Sequence, residues 1–130
     1  MNEKARIGYP PARVWGCPTT AMWVYRLGLE KAKYMLFTGN LVNGRKAEKM
    51  GLIHQAVPLA KLDRSVQLLT ERIKGVPKNQ LMMMKITINQ AYENMRLSSS
   101  QTIATLFEGI ARHSPEGVHF KKRAEEVGFK

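Results

Sequence analysis

The side chains best suited to chemistry in this chain are His54, His113, His119, Glu116, Ser114, Thr38 and Cys17, and their spacing limits what they could do. His113 and Glu116 stand three residues apart at a helix start, but two potential ligands do not close a metal coordination shell, and no cysteine lies near them. No metal site is expected. Ser114 and Thr38 would each need a paired base to become nucleophiles, and the sequence pattern shows no such pairing, so nucleophilic catalysis has no support. The run Gly39-Asn40-Leu41-Val42-Asn43-Gly44 has neither the glycine spacing nor the lysine of a phosphate-cradling loop. Cys17 is the single cysteine. No intrachain disulfide can form, and an inert thiol in a reducing compartment is the simpler reading. Taken by residue type alone, the chain offers helices and positive charge rather than an assembled active site.

The charge does suggest a kind of partner. Lys and Arg number 21 against 10 Asp and Glu, a net charge of +11 and a pI near 10.1. Such a balance favours polyanions: nucleic acid, an anionic membrane surface, or a phosphate-rich small molecule such as a coenzyme. A nucleic-acid reader gathers its cations on one element. Here they are spread along the chain, with short runs only at Arg45-Lys46 and Lys121-Lys122-Arg123, so a basic nucleic-acid-binding module is the weaker alternative. The N-terminal residues Met1 to Arg6 are followed by no apolar segment of the signal-peptide kind, and no run approaches the roughly 20 apolar residues of a membrane helix. A cytoplasmic location without membrane contact is expected.

Elements that could position these residues follow from periodicity and punctuation. Gly8, Pro10, Pro11, Gly16 and Pro18 break any helix before residue 19, leaving Arg13-Val14-Trp15 as a short extended piece. Thr19 or Thr20 then caps a helix carrying Trp23 and Leu27 on one face and stopping at Gly28. A second helix, with Leu29, Ala32 and Leu36 inward, ends at Gly39. Asn43 caps a short helix that ends at Gly51, and Leu52 to Val57 reads as a buried strand closed by Pro58. Leu62, Val66, Leu69 and Ile73 stripe a helix that stops near Gly75, and Pro77 opens the next, striped by Leu81, Met84, Ile88, Ala91 and Met95. These two are expected to pack as an antiparallel pair. Ser98, Ser99 and Ser100 supply a cap for a helix with Ile103, Leu106, Phe107 and Ile110 on its inner side, and Ser114-Pro115-Glu116 starts the last one. Met82-Met83-Met84 covers most of a helix circumference, so one methionine is expected to be exposed or at a subunit contact.

The segment Phe37-Thr38-Gly39, Ala47, Gly51-Leu52-Ile53, Val57-Pro58 resembles the "L-T-G…A…G-L-V…V-P" stretch of the crotonase (enoyl-CoA hydratase/isomerase) superfamily. The resemblance extends along the chain. Ala5-Arg6-Ile7-Gly8-Tyr9-Pro10 looks like "A-x-F-G-x-P", Gly16-Cys17-Pro18 like the "G-x-x-P" bend, and Arg26-Leu27-Gly28 like "R-L-x-G". Ser114-Pro115-Glu116-Gly117 with Phe120 looks like "D-x-x-E-G-x-x-A-F", and Lys122-Arg123 through Phe129-Lys130 like "K-R-x-P-x-F-K".

The resemblance implies a predominantly α chain with one or two short strands, the C-terminal part of the crotonase (ClpP/crotonase-like) α/β fold ending in a helical oligomerisation region. It implies a remnant of the spiral core over residues 1–18, a helix-helix-helix-strand segment over 19–58, and the oligomerisation region over 59–130. The oxyanion-hole donors and the first catalytic glutamate of the family would lie outside these residues. The second hydratase glutamate follows the proline of "G-x-P-E", and here that position is Pro11, which has no proton to exchange. No catalytic residue is therefore assigned, hydratase activity by this chain alone is not expected, and whether it is an enzyme stays open. The family's terminal contacts to the adenine and 3'-phosphate of CoA match Phe129 and Lys130, an aromatic and a point charge suited to a nucleotide. No cofactor is expected. Acyl-CoA is the substrate or ligand if the pocket is completed, and the partners implied are further copies of the chain, as a trimer or multiple, or a missing N-terminal half. A divergent acyl-CoA enzyme completed by a separate N-terminal half is the second reading.

Overall fold

In the computed structural model, residues 1–10 and 17–128 are described, those of 17–21 by backbone alone. The elements are β1 (Arg6–Ile7), α1 (Cys17–Leu27), α2 (Leu29–Thr38), β2 (Val42–Asn43), α3 (Gly44–Met50), a 3-10 turn (Leu59–Lys61), α4 (Leu62–Lys74), α5 (Lys78–Asn94), α6 (Leu97–His113) and α7 (Pro115–Val127). The expected mostly helical class with short strands holds. The chain divides into two compact units: one gathers Met1–Ile7 and Val42–Arg96, the other the described residues of Gly8–Leu41 and Leu97–Lys130.

In the first unit β1 and β2 pair antiparallel, Arg6 opposite Asn43 and Ile7 opposite Val42. α3 follows β2 at once. Asn43 is its N-cap, the side chain accepting from the Lys46 N–H at 2.9 Å, and Gly51 closes it in the left-handed region at φ 85°. Val42 and Ala47 are buried, and Gly44 is buried beside the N-terminal segment: its N–H donates to the Glu3 carbonyl at 3.0 Å. Arg45 reaches back across the same contact to Glu3 at 2.8 Å.

Leu52 to Val57 is not a strand. Leu52, Ile53 and His54 form a bend, Gln55 and Ala56 are irregular, and Val57 makes an isolated parallel bridge to Asn2. The Glu48 carboxylate accepts from the Ala56 N–H at 3.1 Å, while the Val57 N–H donates to the Met1 carbonyl at 3.0 Å and its carbonyl accepts from the Glu3 N–H at 2.9 Å, so the segment is held by α3 and by the N-terminal residues. A short apolar run has no periodicity that separates strand from half-buried loop, which is why it misleads.

α4 and α5 have the expected ends, with Pro77 just before the first residue of α5, yet they do not pack along one another. Val66, Leu69, Ile73, Met82, Met83, Met84, Ile86, Ile88 and Met95 are all exposed. The expected antiparallel pair is therefore not formed. All three consecutive methionines face outward, more than the one that helix geometry requires.

The second unit packs α1 against α2 and α6, and α6 against α7. Among its described residues the buried apolar side chains are Leu27, Ala32, Met35 and Ala104, with Met35 fully enclosed. α2 ends at Gly39 in the left-handed region (φ 66°), as expected, but the buried pair is Ala32 and Met35, while Leu29 is exposed. α1 begins at Cys17, ahead of the threonines expected to cap it. α6 begins at Leu97, so Ser98, Ser99 and Ser100 lie within its first turn rather than before it. Its orientation is also the reverse of the expected one. Leu97, Ser100, Ala104 and Ala111 form the covered side, and Ile103, Leu106, Phe107 and Ile110 are exposed. Periodicity identifies a stripe but not its covering, and here the small residues let α1 approach while the large ones stay outside. α7 starts as expected: Ser114 Oγ accepts from the Gly117 N–H at 3.1 Å, and Pro115 and Glu116 occupy the first turn.

Candidate functional site

The segment that precedes Pro11 is held by close contact with the residues that follow α2. A Cβ at Gly8 would stand 2.7 Å from the Asn40 carbonyl oxygen and 2.8 Å from Leu41 Cδ2, so only glycine fits between Ile7 and Tyr9 without displacing the end of α2. Around that end the hydroxyls are engaged locally. Thr38 Oγ1 donates to the Tyr34 carbonyl at 2.6 Å and accepts from the Asn40 N–H at 3.2 Å, while the Asn40 amide donates to the Tyr34 hydroxyl at 3.3 Å. Thr38 is thus a helix-end residue. Pro11 lies outside the described residues, as do Arg13-Val14-Trp15, Phe129 and Lys130.

Of the other polar candidates, Ser114 and His113 are engaged by local backbone groups, while His54 and His119 are exposed. Ser114 Oγ donates to the Ala111 carbonyl at 2.9 Å while it caps α7. His113 Nδ1 lies 2.8 Å from the Gly109 carbonyl, one turn back on α6, and both His113 and Glu116 are exposed. Among the described residues no three His, Cys, Asp or Glu side chains gather as a metal-binding group.

Two concavities lie in the first unit, neither one signalled by a sequence motif. One of about 240 Å³ is bounded by Ile53, His54, Gln55, Val57, Leu62, Ser65, Val66 and Leu69, with Met1 at its margin. The other, about 590 Å³, sits at the corner between α4 and α5, with Ile73, Val76, Pro77 and Leu81 as its apolar floor and Thr70, Lys74 and Lys78 at its rim. Glu71 engages Lys74 at 2.7 Å. No carboxylate lines either concavity, so neither presents the paired acids that water addition to an enoyl thioester requires.

The cations are dispersed. Arg45 pairs with Glu3, Arg112 with Glu108 at 2.6 Å, and Lys121 with Glu125 at 3.8 Å. Among the described residues no helix is long and apolar enough to cross a membrane.

Comparison with known proteins accounts for the fold and its helix punctuation. A crystal structure of an enoyl-CoA hydratase from Mycobacterium smegmatis superposes with a TM-score of 0.91 at 46% identity, covering 98% of this chain and 44% of that one. An enoyl-CoA hydratase/isomerase from Xanthobacter autotrophicus Py2 shares the fold at a TM-score of 0.86 and 21% identity, over 98% of this chain and 48% of that one. Among curated proteins, a probable mitochondrial enoyl-CoA hydratase from Dictyostelium discoideum is 31% identical across 93% of this chain and 43% of its own length. The chain spans about half the length of the curated relatives it matches. The enoyl-CoA hydratase/isomerase family model matches residues 1–126, nearly all of the sequence: the chain belongs to the enoyl-CoA hydratase/isomerase family, within the crotonase superfamily.

Proposed function

We propose that this chain acts as the helical, C-terminal half of a crotonase-superfamily acyl-CoA protein. It associates with further copies of itself, takes acyl-CoA only beside an N-terminal half, and hydrates no enoyl-CoA alone. The observation that carries this reading is the uncovered apolar face of α4 and α5. Val66, Leu69 and Ile73 on α4 and Met84 and Ile88 on α5 are each about half exposed, and covering the exposed half of such a side chain is worth about 1 kcal/mol. Five of them approach the lower end, about 5 kcal/mol, of a whole domain's stability. A surface of that worth is a surface built for a partner, and the relatives' additional length leaves room for one.

Chemistry points the same way. Adding water across an enoyl thioester needs donors aimed at the developing enolate and carboxylates to move protons. By family resemblance the donors and the first glutamate belong to the N-terminal half, and Pro11 stands at the second glutamate's position. The role left to this chain is binding: Phe129 stacks on the adenine of CoA, and Lys130 meets its phosphate.

Co-expression with the tagged N-terminal region of the Mycobacterium smegmatis relative tests the reading. This chain should co-purify with it, and CoA should raise the melting temperature of the complex but not of the lone chain. Phe129→Ala with Lys130→Ala should remove that rise. Separate elution of the two halves, or a CoA-induced rise in the lone chain, would overturn the proposal.

A further inference from the structure

We propose that Asn43-Gly44 is a deamidation site kept closed by the N-terminal segment, so that conversion of Asn43 to aspartate or isoaspartate marks the release of Glu3 from α3. No partner, coenzyme or further half of the protein enters this inference, and it stands apart from the proposed function.

The sequence supplies the chemistry. Of Asn2, Asn40, Asn43, Asn79, Asn89 and Asn94, only Asn43 precedes glycine. With no Cβ on the following residue, the next backbone nitrogen can approach the side-chain amide carbon unhindered. The Gly44 nitrogen loses its proton to hydroxide and attacks Asn43 Cγ. The N–Cγ bond forms, the Cγ–Nδ2 bond breaks, and ammonia leaves with a proton taken from water, so that a succinimide ring closes. Water then opens the ring. Attack at Cγ restores the main chain as aspartate, whereas attack at the Asn43 backbone carbonyl carbon leaves the chain running through Cγ as isoaspartate. Arg45 and Lys46 follow directly, and their positive charge favours the nitrogen anion that starts the sequence.

The structure restrains both reacting groups. Gly44 is buried, and its N–H donates to the Glu3 carbonyl at 3.0 Å, out of reach of a base in solution. The Asn43 side chain is engaged as the α3 cap, accepting from the Lys46 N–H at 2.9 Å, and its backbone is paired with Arg6 in the β1–β2 ladder. Glu3 is the latch. Besides taking the Gly44 N–H, it donates its own N–H to the Val57 carbonyl at 2.9 Å, and its carboxylate accepts from Arg45 Nε at 3.0 Å and Nη2 at 2.8 Å. Deamidation therefore runs from the state in which Glu3 has let go, and its rate follows the population of that locally open state.

The two products differ in what they permit. Aspartate keeps a side-chain oxygen for the Lys46 N–H, so the cap and the Glu3 contact can re-form. Isoaspartate adds a methylene to the main chain between Val42 and Gly44 and removes the capping side chain. The Gly44 N–H then no longer meets Glu3 in register, and release becomes permanent.

Peptide mapping of the intact chain, aged at mildly alkaline pH both folded and in urea, is the test. Trypsin releases the peptide Tyr34–Arg45, which carries Asn43 together with Asn40, and Asn40, followed by leucine, is the internal control. Asn43 should convert faster than Asn40 in urea, and in the folded chain it should convert on the order of tenfold or more slowly than in urea. Glu3→Gln removes the ion pair and keeps the backbone bonds, so at unchanged helicity it should speed conversion of folded Asn43 about twofold to fivefold. The wild-type comparison stands whether or not that variant folds. Among chains aged in urea and refolded, the aspartate form should retain hydrogen-exchange protection at the Gly44 N–H and the isoaspartate form should lose it. Equal rates at Asn43 in the folded and unfolded chain, slower conversion at Asn43 than at Asn40 in urea, a folded Glu3→Gln chain at the wild-type rate, or a protected Gly44 N–H in the isoaspartate form would overturn the proposal.

Discussion

Gly44→Ala is the substitution on which sequence and structure disagree most sharply. By helix propensity alone, alanine at the start of α3 should stabilise by up to about 1 kcal/mol. The structure puts a Cβ at this position 2.6 Å from the Asn2 carbonyl oxygen and 2.8 Å from Glu3 Cα, both backbone atoms that no rotamer change can move. Restoring an ordinary C···O contact of about 3.3 Å requires the Asn2 carbonyl to retreat by about 0.7 Å. That retreat strains the Gly44 N–H to Glu3 carbonyl bond at 3.0 Å, the Glu3 N–H to Val57 carbonyl bond at 2.9 Å, and the Val57 N–H to Met1 carbonyl bond at 3.0 Å. Overpacking costs about 1–3 kcal/mol, and weakening even one such bond adds about 1 kcal/mol. After the propensity gain, a net loss of about 2 kcal/mol remains. For a chain of this size it corresponds to a melting temperature lower by roughly 6–10 °C, read by circular dichroism. Equal or greater stability for Gly44→Ala would refute the reasoning, because it would mean that the N-terminal segment does not lie against α3.

Gly51 offers a contrast in mechanism. Nothing lies within 4 Å of a Cβ there, but φ is 85°, so Gly51→Ala should cost about 1 kcal/mol through backbone strain, while Gly51→Asn, which tolerates that region better, should cost less by the same melting assay. Ser114→Ala removes the oxygen that accepts from the Gly117 N–H, and urea unfolding should register a loss of about 1 kcal/mol that Ser114→Asp largely avoids. Tyr25→Phe and Ser100→Ala should each destabilise by about 1 kcal/mol. Their double mutant should cost clearly less than the two together, since both remove the same bond between α1 and α6.

The parts of this fold that are legible in the sequence are those set by local backbone chemistry. The left-handed glycines at 39 and 51, the Asn43 cap on α3 and the Ser114 cap on α7 involve partners within a few residues. What is not legible depends on distant partners. Val57 finds Asn2 across more than fifty residues, so the run from Leu52 could not announce itself as a loop with one bridge. The stripe at Ile103, Leu106, Phe107 and Ile110 was readable, but its direction depended on how closely α1 comes to Ala104. Of the candidate site, the family was legible because short motifs in order survive where no single one is specific. The chemistry was not, because general acids, bases and oxyanion donors converge from separate segments that no local spacing announces.

The central claim is that these 130 residues are the binding and assembly half of an acyl-CoA protein rather than a complete catalyst. The most direct measurement follows a short-chain 2-enoyl-CoA with the purified chain alone, and then with the N-terminal region of the Mycobacterium smegmatis relative added. The account predicts no hydration above a buffer blank in the first case, whatever the chain concentration. Saturable hydration by the chain alone would contradict it.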